Sequence, residues 1–93
     1  MAAHADVMSA DEVEEPKYVW ETVADAIAEE IRAGDIPVGG RLPNERDLAA
    51  QHGVALNTLR RAVRELRERG VVRTLANKGT FVVRKPEDGD ADE

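Results

Sequence analysis

The sequence predicts a small α+β domain that is mainly α-helical, with three helices followed by one β-hairpin. Three observations support this fold class. Apolar residues recur at spacings of three and four in three separate segments, β-branched runs replace this spacing after Gly70, and Gly or Pro residues separate the segments. A chain of 93 residues has room for one small domain.

Both ends of the chain are acidic and lack a periodic apolar stripe. Residues 1–15 carry five acids and no Lys or Arg, and residues 87–93 carry five more acids without a base. This composition predicts two disordered acidic tails around one folded domain at residues 16–86. The formal net charge of −6 is therefore misleading, because the predicted domain has 13 bases and nine acids.

The first helix is predicted over residues 17–33, between Pro16 and Gly34. Its apolar residues form one stripe: Trp20, Val23, Ala24, Ile27, Ala28 and Ile31. We interpret Trp20, the only tryptophan, as a core anchor rather than a platform for a ligand. A Gly/Pro-rich connector follows at residues 35–43, and we expect one short extended segment in it.

The next two helices are joined by a tight turn at Gly53. Asn44 can cap the second helix, at about residues 45–52, and Gly53 suits the left-handed position after it. The third helix extends to about Arg69 and ends at Gly70. Its apolar residues again share one face: Leu59, Ala62, Val63 and Leu66.

Two short β-branched runs predict a hairpin at the end of the domain. Residues 71–75 and 80–84 are typical of strands, and Ala76-Asn77-Lys78-Gly79 is typical of the turn between them. Three helices and a hairpin in this order make a winged helix-turn-helix, with a wing of two or three strands.

The third helix is rich in arginine outside its apolar stripe. Its five arginines are Arg60, Arg61, Arg64, Arg67 and Arg69, and residues 41–85 contain 11 bases against four acids. A helix-turn-helix presents such a helix to the major groove of DNA, so we expect binding to double-stranded DNA. The alternative interpretation is a solvated helix face paired with Glu65 and Glu68.

Other function classes have little support in this sequence. It has no cysteine, one serine, three aromatic residues and no phosphate-binding loop, so we expect neither an enzyme nor a bound cofactor. Its two histidines, His4 and His52, are too far apart to suggest a metal site. The absence of a signal peptide and of a membrane-length apolar segment predicts a cytoplasmic protein.

Five short motifs resemble the N-terminal DNA-binding domain of GntR-type bacterial transcriptional regulators. The resemblance covers about residues 17–84. The matching motifs are GGRLP at 39–43, NERDLA at 44–49, GV at 53–54, TLRRA at 58–62 and KGTFV at 78–82. The resemblance implies a repressor-like domain whose third helix enters the major groove and whose wing reaches the adjacent minor groove.

The resemblance also implies four DNA contacts, from Arg46, Arg60, Lys78 and Gly79. Alternatively, Arg46 forms an ion pair within its helix. Lys78 alternatively serves only to keep the exposed turn soluble. Since the start of the third helix points into the groove, we expect Arg60 to reach a base edge.

Further candidates lie on the third helix and the wing. We expect Arg61 and Arg64 to reach phosphates. Asn57 either caps the third helix or reads an adenine edge. Thr58, in the same turn, belongs to the predicted site, and Thr80 either contacts a phosphate or completes the strand end.

The chain departs from the family pattern in two ways. Ala55 and Leu56 stand where the family usually has Ser or Thr and then Arg, so we expect an unusual operator sequence. The family normally continues into a ligand-binding or dimerising domain, but only an acidic segment follows Pro86, so we expect no effector site here.

The prediction is therefore a sequence-specific DNA-binding transcriptional regulator, acting as a repressor. We expect a monomer in dilute solution, with dimerisation on DNA or binding to a partner protein as possible routes to specificity. A winged-helix module for protein–protein interaction, or an accessory DNA-binding protein, is the alternative.

Overall fold

Three helices and a hairpin make up the computed structural model, which describes residues 17–86. Helix α1 is Val19–Arg32, α2 is Glu45–His52 and α3 is Leu56–Glu68. Strand β1 is Val72–Leu75, and β2 is Gly79–Val82. The predicted winged helix-turn-helix is confirmed. The acidic segments predicted as tails lie outside the described residues.

The wing is a two-stranded antiparallel sheet. β1 and β2 pair so that Val72 is opposite Val82. The connector before α2 contributes one extended residue, because Arg41 forms an isolated antiparallel bridge with Phe81. This bridge is the short extended segment predicted from sequence, and it brings Arg41 to the wing.

Helix α3 lies at the centre of the fold, where it packs against α1, α2 and β1. The largest fully buried side chains come from the three helices, from β2 and from the residue just before β1: Ile27, Ile31, Leu48, Leu59, Leu66, Val71 and Val82. Burial of one such side chain contributes about 1.5–3 kcal/mol. The predicted stripe of α1 is buried apart from Trp20, which is only partly buried and packs against the edge of the core.

A network of charged side chains joins α1 to the C-terminal end of α3. Asp25 accepts hydrogen bonds from Lys17 Nζ at 2.7 Å and from Arg69 Nη2 at 3.3 Å. Arg69 Nε also donates to Glu65 at 2.9 Å. Burial alone would raise the pKa of Asp25, but Lys17 and Arg69 outweigh this effect and lower the pKa below its ordinary value.

We expect Asp25→Asn to weaken the fold in a pH-dependent way. The lowered pKa means that the carboxylate stabilises the fold above its ordinary pKa of 3.8, and this contribution is lost as the pH falls through the folded-state pKa. Because the network is partly exposed, the loss in unfolding free energy at neutral pH should stay below about 1 kcal/mol. Urea unfolding at several pH values measures it.

Glu68→Gln is the matched control, since Glu68 forms no ion pair with any of residues 17–86. It should leave stability nearly unchanged at every pH. Equal losses for the two variants, or a loss for Asp25→Asn that persists in strong acid, would contradict the assigned role of Asp25.

Candidate nucleic-acid interface

The turn between α2 and α3 sets the direction of α3. Asn44 caps α2 as predicted, because its side chain accepts a hydrogen bond from the Asp47 N–H at 2.9 Å. Gly53 then adopts the left-handed conformation, with φ of 66°, in which a side chain would be strained. The Val54 N–H donates to the Ala49 carbonyl at 3.0 Å and closes the turn.

The start of α3 has no side-chain cap. Its N-cap residue is Ala55, which has no oxygen to accept a hydrogen bond from the first turn. The predicted capping role of Asn57 is wrong, because Asn57 is the second residue of the helix and its side chain is exposed. The other role expected for Asn57, contact with an adenine edge, stays a prediction.

Arg60 is held by the first residue of α2. Its Nε donates to Glu45 Oε1 at 2.9 Å, and both side chains are about half exposed, at 55% and 50%. The partner is therefore not Glu65 or Glu68 of its own helix. Fifteen positions separate the two residues, so only the packing of α2 against α3 brings them together.

Arg61 lies over the ring of Trp20. The guanidinium carbon is 4.7 Å from the ring centroid, and the ring of Tyr18 stacks on Trp20 at 6.1 Å with an interplanar angle of 10°. At a partly exposed site a cation–π contact of this kind contributes about 0.5–1 kcal/mol. Trp20 thus packs against the core with one part of its surface and positions an arginine with another.

The charges of Arg46 and Arg64 are uncompensated within residues 17–86. Both side chains are exposed, and neither forms an ion pair or hydrogen bond with a residue in that range. The intrahelical pair considered for Arg46 is therefore not found. Thr58, also on α3, is half-buried and has no hydrogen-bonded side chain in the same range.

The wing is tied to α3 through a short chain of hydrogen bonds. Arg67 Nη1 donates to Thr74 Oγ1 at 3.3 Å, and the hydroxyls of Thr74 and Thr80 are hydrogen-bonded at 2.8 Å. Because Thr74 and Thr80 are opposite each other in the two strands, this contact favours a strand-end role for Thr80.

At the tip of the wing, Lys78 is exposed and Gly79 has a φ of 120°. A Cβ atom at Gly79 would lie only 2.6 Å from Arg41 Nε. Glycine is needed here for its backbone conformation, and any side chain would also displace that arginine. Sequence reasoning did not single out Arg41, although it stands in the GGRLP motif that carried the resemblance.

The residues of α2, α3 and the wing described above line three neighbouring depressions. The largest, of about 490 Å³, is bordered by α3 and the start of α2: Glu45, Asn57, Arg60, Arg61, Arg64 and Arg67. A second, of about 270 Å³, contains Arg46 and Leu56, and a third, of about 410 Å³, lies between α2 and the wing. Glu45 borders all three, which makes the Glu45–Arg60 pair the centre of the surface.

The structure also bears on other classes of site. Within residues 17–86, no group of three or more His, Cys, Asp or Glu side chains is arranged to hold a metal ion. No helix in the described part of the chain has the length and apolar character needed to cross a membrane.

Comparison with known proteins agrees with this geometry. The model of the family described as bacterial regulatory proteins, gntR family, matches residues 20–82. The HTH-type transcriptional regulator Rv1152 of Mycobacterium tuberculosis is 42% identical over 73 residues, covering 78% of this chain and 60% of that protein. The histidine utilization repressor of Klebsiella aerogenes is 40% identical over 67 residues, covering 72% of this chain and 28% of that protein.

A solved structure gives the same result for the fold. The DNA-binding domain of AraR, in complex with operator ORR3, superimposes with a TM-score of 0.65 at 31% identity, covering 69% of this chain and 77% of that one. The fold is thus that of a winged helix-turn-helix domain, and α3 presents its arginine-rich surface. The chain belongs to the GntR family of bacterial regulatory proteins. It spans less than two thirds of the length of the two curated relatives.

We expect Ala55→Ser to stabilise the domain. A serine at the N-cap supplies the missing acceptor for the first turn of α3, which is worth about 1 kcal/mol and several degrees in Tm for a domain of this size. Ala50→Ser, at an exposed position inside α2, is the control and should lower stability slightly. Thermal unfolding in which Ala55→Ser is no more stable than Ala50→Ser would contradict the missing cap.

We expect Arg61→Ala to change the fluorescence of Trp20, because it removes a guanidinium from the face of the only tryptophan ring. Arg64→Ala removes the same type of side chain one turn further along α3 and should leave the emission unchanged. Equal spectra for the two variants would show that Arg61 does not rest on Trp20 in solution.

Proposed function

We propose that the protein is a sequence-specific repressor that binds an operator through α3 and the wing. The observation that carries the proposal is the concentration of arginines from α3, Arg60, Arg61, Arg64 and Arg67, around one depression. A polyanion is the partner that compensates so many like charges. Repression requires only that the occupied operator excludes other proteins, and the Klebsiella aerogenes relative is named a repressor.

In this proposal Arg60 reads a base. Its Nε–H is already bonded to Glu45, which leaves the two terminal nitrogens of the guanidinium for a second partner. Two parallel donors match O6 and N7 of guanine in the major groove. Glu45 thus orients Arg60 before DNA arrives, which lowers the entropy lost on binding.

Three other arginines of the helical surface, Arg46, Arg61 and Arg64, bind the DNA backbone in this proposal. Arg46 and Arg64 have exposed charges without a partner among the described residues, so each can pair with a phosphate at little cost. Arg61 keeps its donors while its flat face rests on Trp20, and it reaches a phosphate at the edge of the groove. We assign Asn57 to an adenine edge beside Arg60. Thr58, in the same helical turn, is assigned to a supporting contact with the DNA.

The wing completes the proposed site. Lys78 and the backbone of Gly79 approach the minor groove, and Arg41, packed beside Gly79, adds a positive charge there. The hydrogen bonds from Arg67 through Thr74 to Thr80 connect the wing to α3. Dimerisation on DNA, or a partner protein, stays a prediction.

Alanine variants of Arg60 and Arg64 test the proposal. A preferred site is first selected from random DNA. The affinities for this site and for random DNA are then measured between 50 and 200 mM salt, roughly the range over which phosphate contacts dominate the change in affinity with salt. Arg60→Ala should cost about 1–3 kcal/mol on the preferred site and much less on random DNA. Arg64→Ala should weaken both and reduce the salt slope by about 0.9.

Arg32→Ala is the matched control, since Arg32 ends α1 and borders none of the three depressions. It should leave both affinities nearly unchanged. Failure to select any preferred site would refute sequence-specific binding, and equal losses for Arg60→Ala on both DNAs would reassign Arg60 to a phosphate.

A further inference from the structure

Leu56 is an apolar side chain in the middle of a cationic surface. It is the first residue of α3 and borders the 270 Å³ depression together with Asn44, Glu45, Arg46 and Arg60, of which Glu45 is already paired with Arg60. Leu56 is half-buried, and it belongs neither to the buried core nor to the partly buried residues packed against it. Core packing therefore does not explain an apolar residue at this position.

The surroundings of Leu56 limit what it can contact. Arg46 carries an exposed charge, and Arg60 offers its two terminal nitrogens, so the depression faces the same polyanion as the rest of the surface. Leucine has no hydrogen-bond donor or acceptor and cannot read a polar base edge. The one apolar group on the major-groove edges of ordinary DNA is the C5-methyl of thymine.

We propose that Leu56 contacts the methyl group of one thymine in the operator and so helps determine its sequence. The inference rests on the proposed function, because it requires α3 to lie in the major groove. Leu56 and Arg60 are four residues apart on one face of α3, about 6 Å along the axis. Since base pairs are stacked about 3.4 Å apart, the thymine lies within about two base pairs of the base contacted by Arg60.

Deoxyuridine provides a direct test, because it differs from thymidine only by this methyl group. Each thymine of the selected site is replaced singly, and the affinity of the unmodified protein is measured by fluorescence anisotropy. We expect one position at which uracil weakens binding about fourfold, the effect of leaving one methyl-sized group unburied. Other positions should change little.

The variant Leu56→Ala identifies the protein partner of that methyl group. It should bind the thymine site several-fold more weakly than the unmodified protein and lose nothing further when uracil is introduced. Val38→Ala, at an exposed apolar position that borders none of the three depressions, is the control and should keep both the affinity and the full sensitivity to uracil. Because Leu56 lies outside the core, the Tm of Leu56→Ala should equal that of the unmodified protein.

Leu56→Arg gives a second, independent readout. Sites selected by this variant should carry guanine, the base that arginine recognises, in place of the thymine. If uracil is neutral at every position while the protein still prefers its selected site, the inference is wrong and the proposed function stands. If no DNA sequence is preferred, both are wrong. A Leu56→Ala variant that keeps full sensitivity to uracil would likewise overturn the inference.

Discussion

Burial of one face of α3 is the constraint on which the rest of the structure depends. Leu59, Ala62 and Leu66 are fully buried, and Val63 nearly so, against α1, α2 and β1. Because these four residues share one face, the rotation of the helix about its axis is determined by the core. The opposite face is then exposed along its whole length, and this is where the arginines stand. Packing and presentation of charge are consequences of the same amphipathic pattern.

Three of the four arginines of α3, and Arg69 directly after it, are ordered by different partners, whereas Arg64 has no partner among the described residues. Arg60 is bonded to Glu45, Arg61 rests on Trp20, Arg67 reaches Thr74, and Arg69 is bonded to Asp25 and Glu65. A free arginine side chain loses about 2 kcal/mol of rotamer entropy when it is fixed. Contacts made within the folded protein meet part of this cost before any ligand arrives, which favours a defined geometry of binding.

The first turn of α3 shows a different balance between stability and function. Ala55 leaves the helix without a side-chain cap, and Leu56 exposes apolar surface between two cations. Neither residue is the choice that maximises stability at its position. Residues that do not maximise stability are expected on a surface that recognises a ligand. Selection at such positions acts on ligand binding rather than on the stability of the fold.

The helices, the turn at Gly53, the hairpin and the basic character of α3 could all be predicted from the sequence. These features follow from residues close to one another along the chain: apolar spacing, the Asn44 cap and the β-branched runs after Gly70. The same local reasoning was wrong about Asn57, because Ala55 and Leu56 begin the helix earlier than a capping asparagine would allow.

Tertiary structure alone decided which side chains meet. Glu45 and Arg60 are 15 positions apart, Trp20 reaches Arg61 across the packing of α1 on α3, and Arg41 meets Gly79 because the connector bridges to β2. No periodicity in the sequence encodes these contacts, since each depends on how whole elements pack around the core. The arrangement of charge on the surface therefore appears only once the apolar faces have been buried.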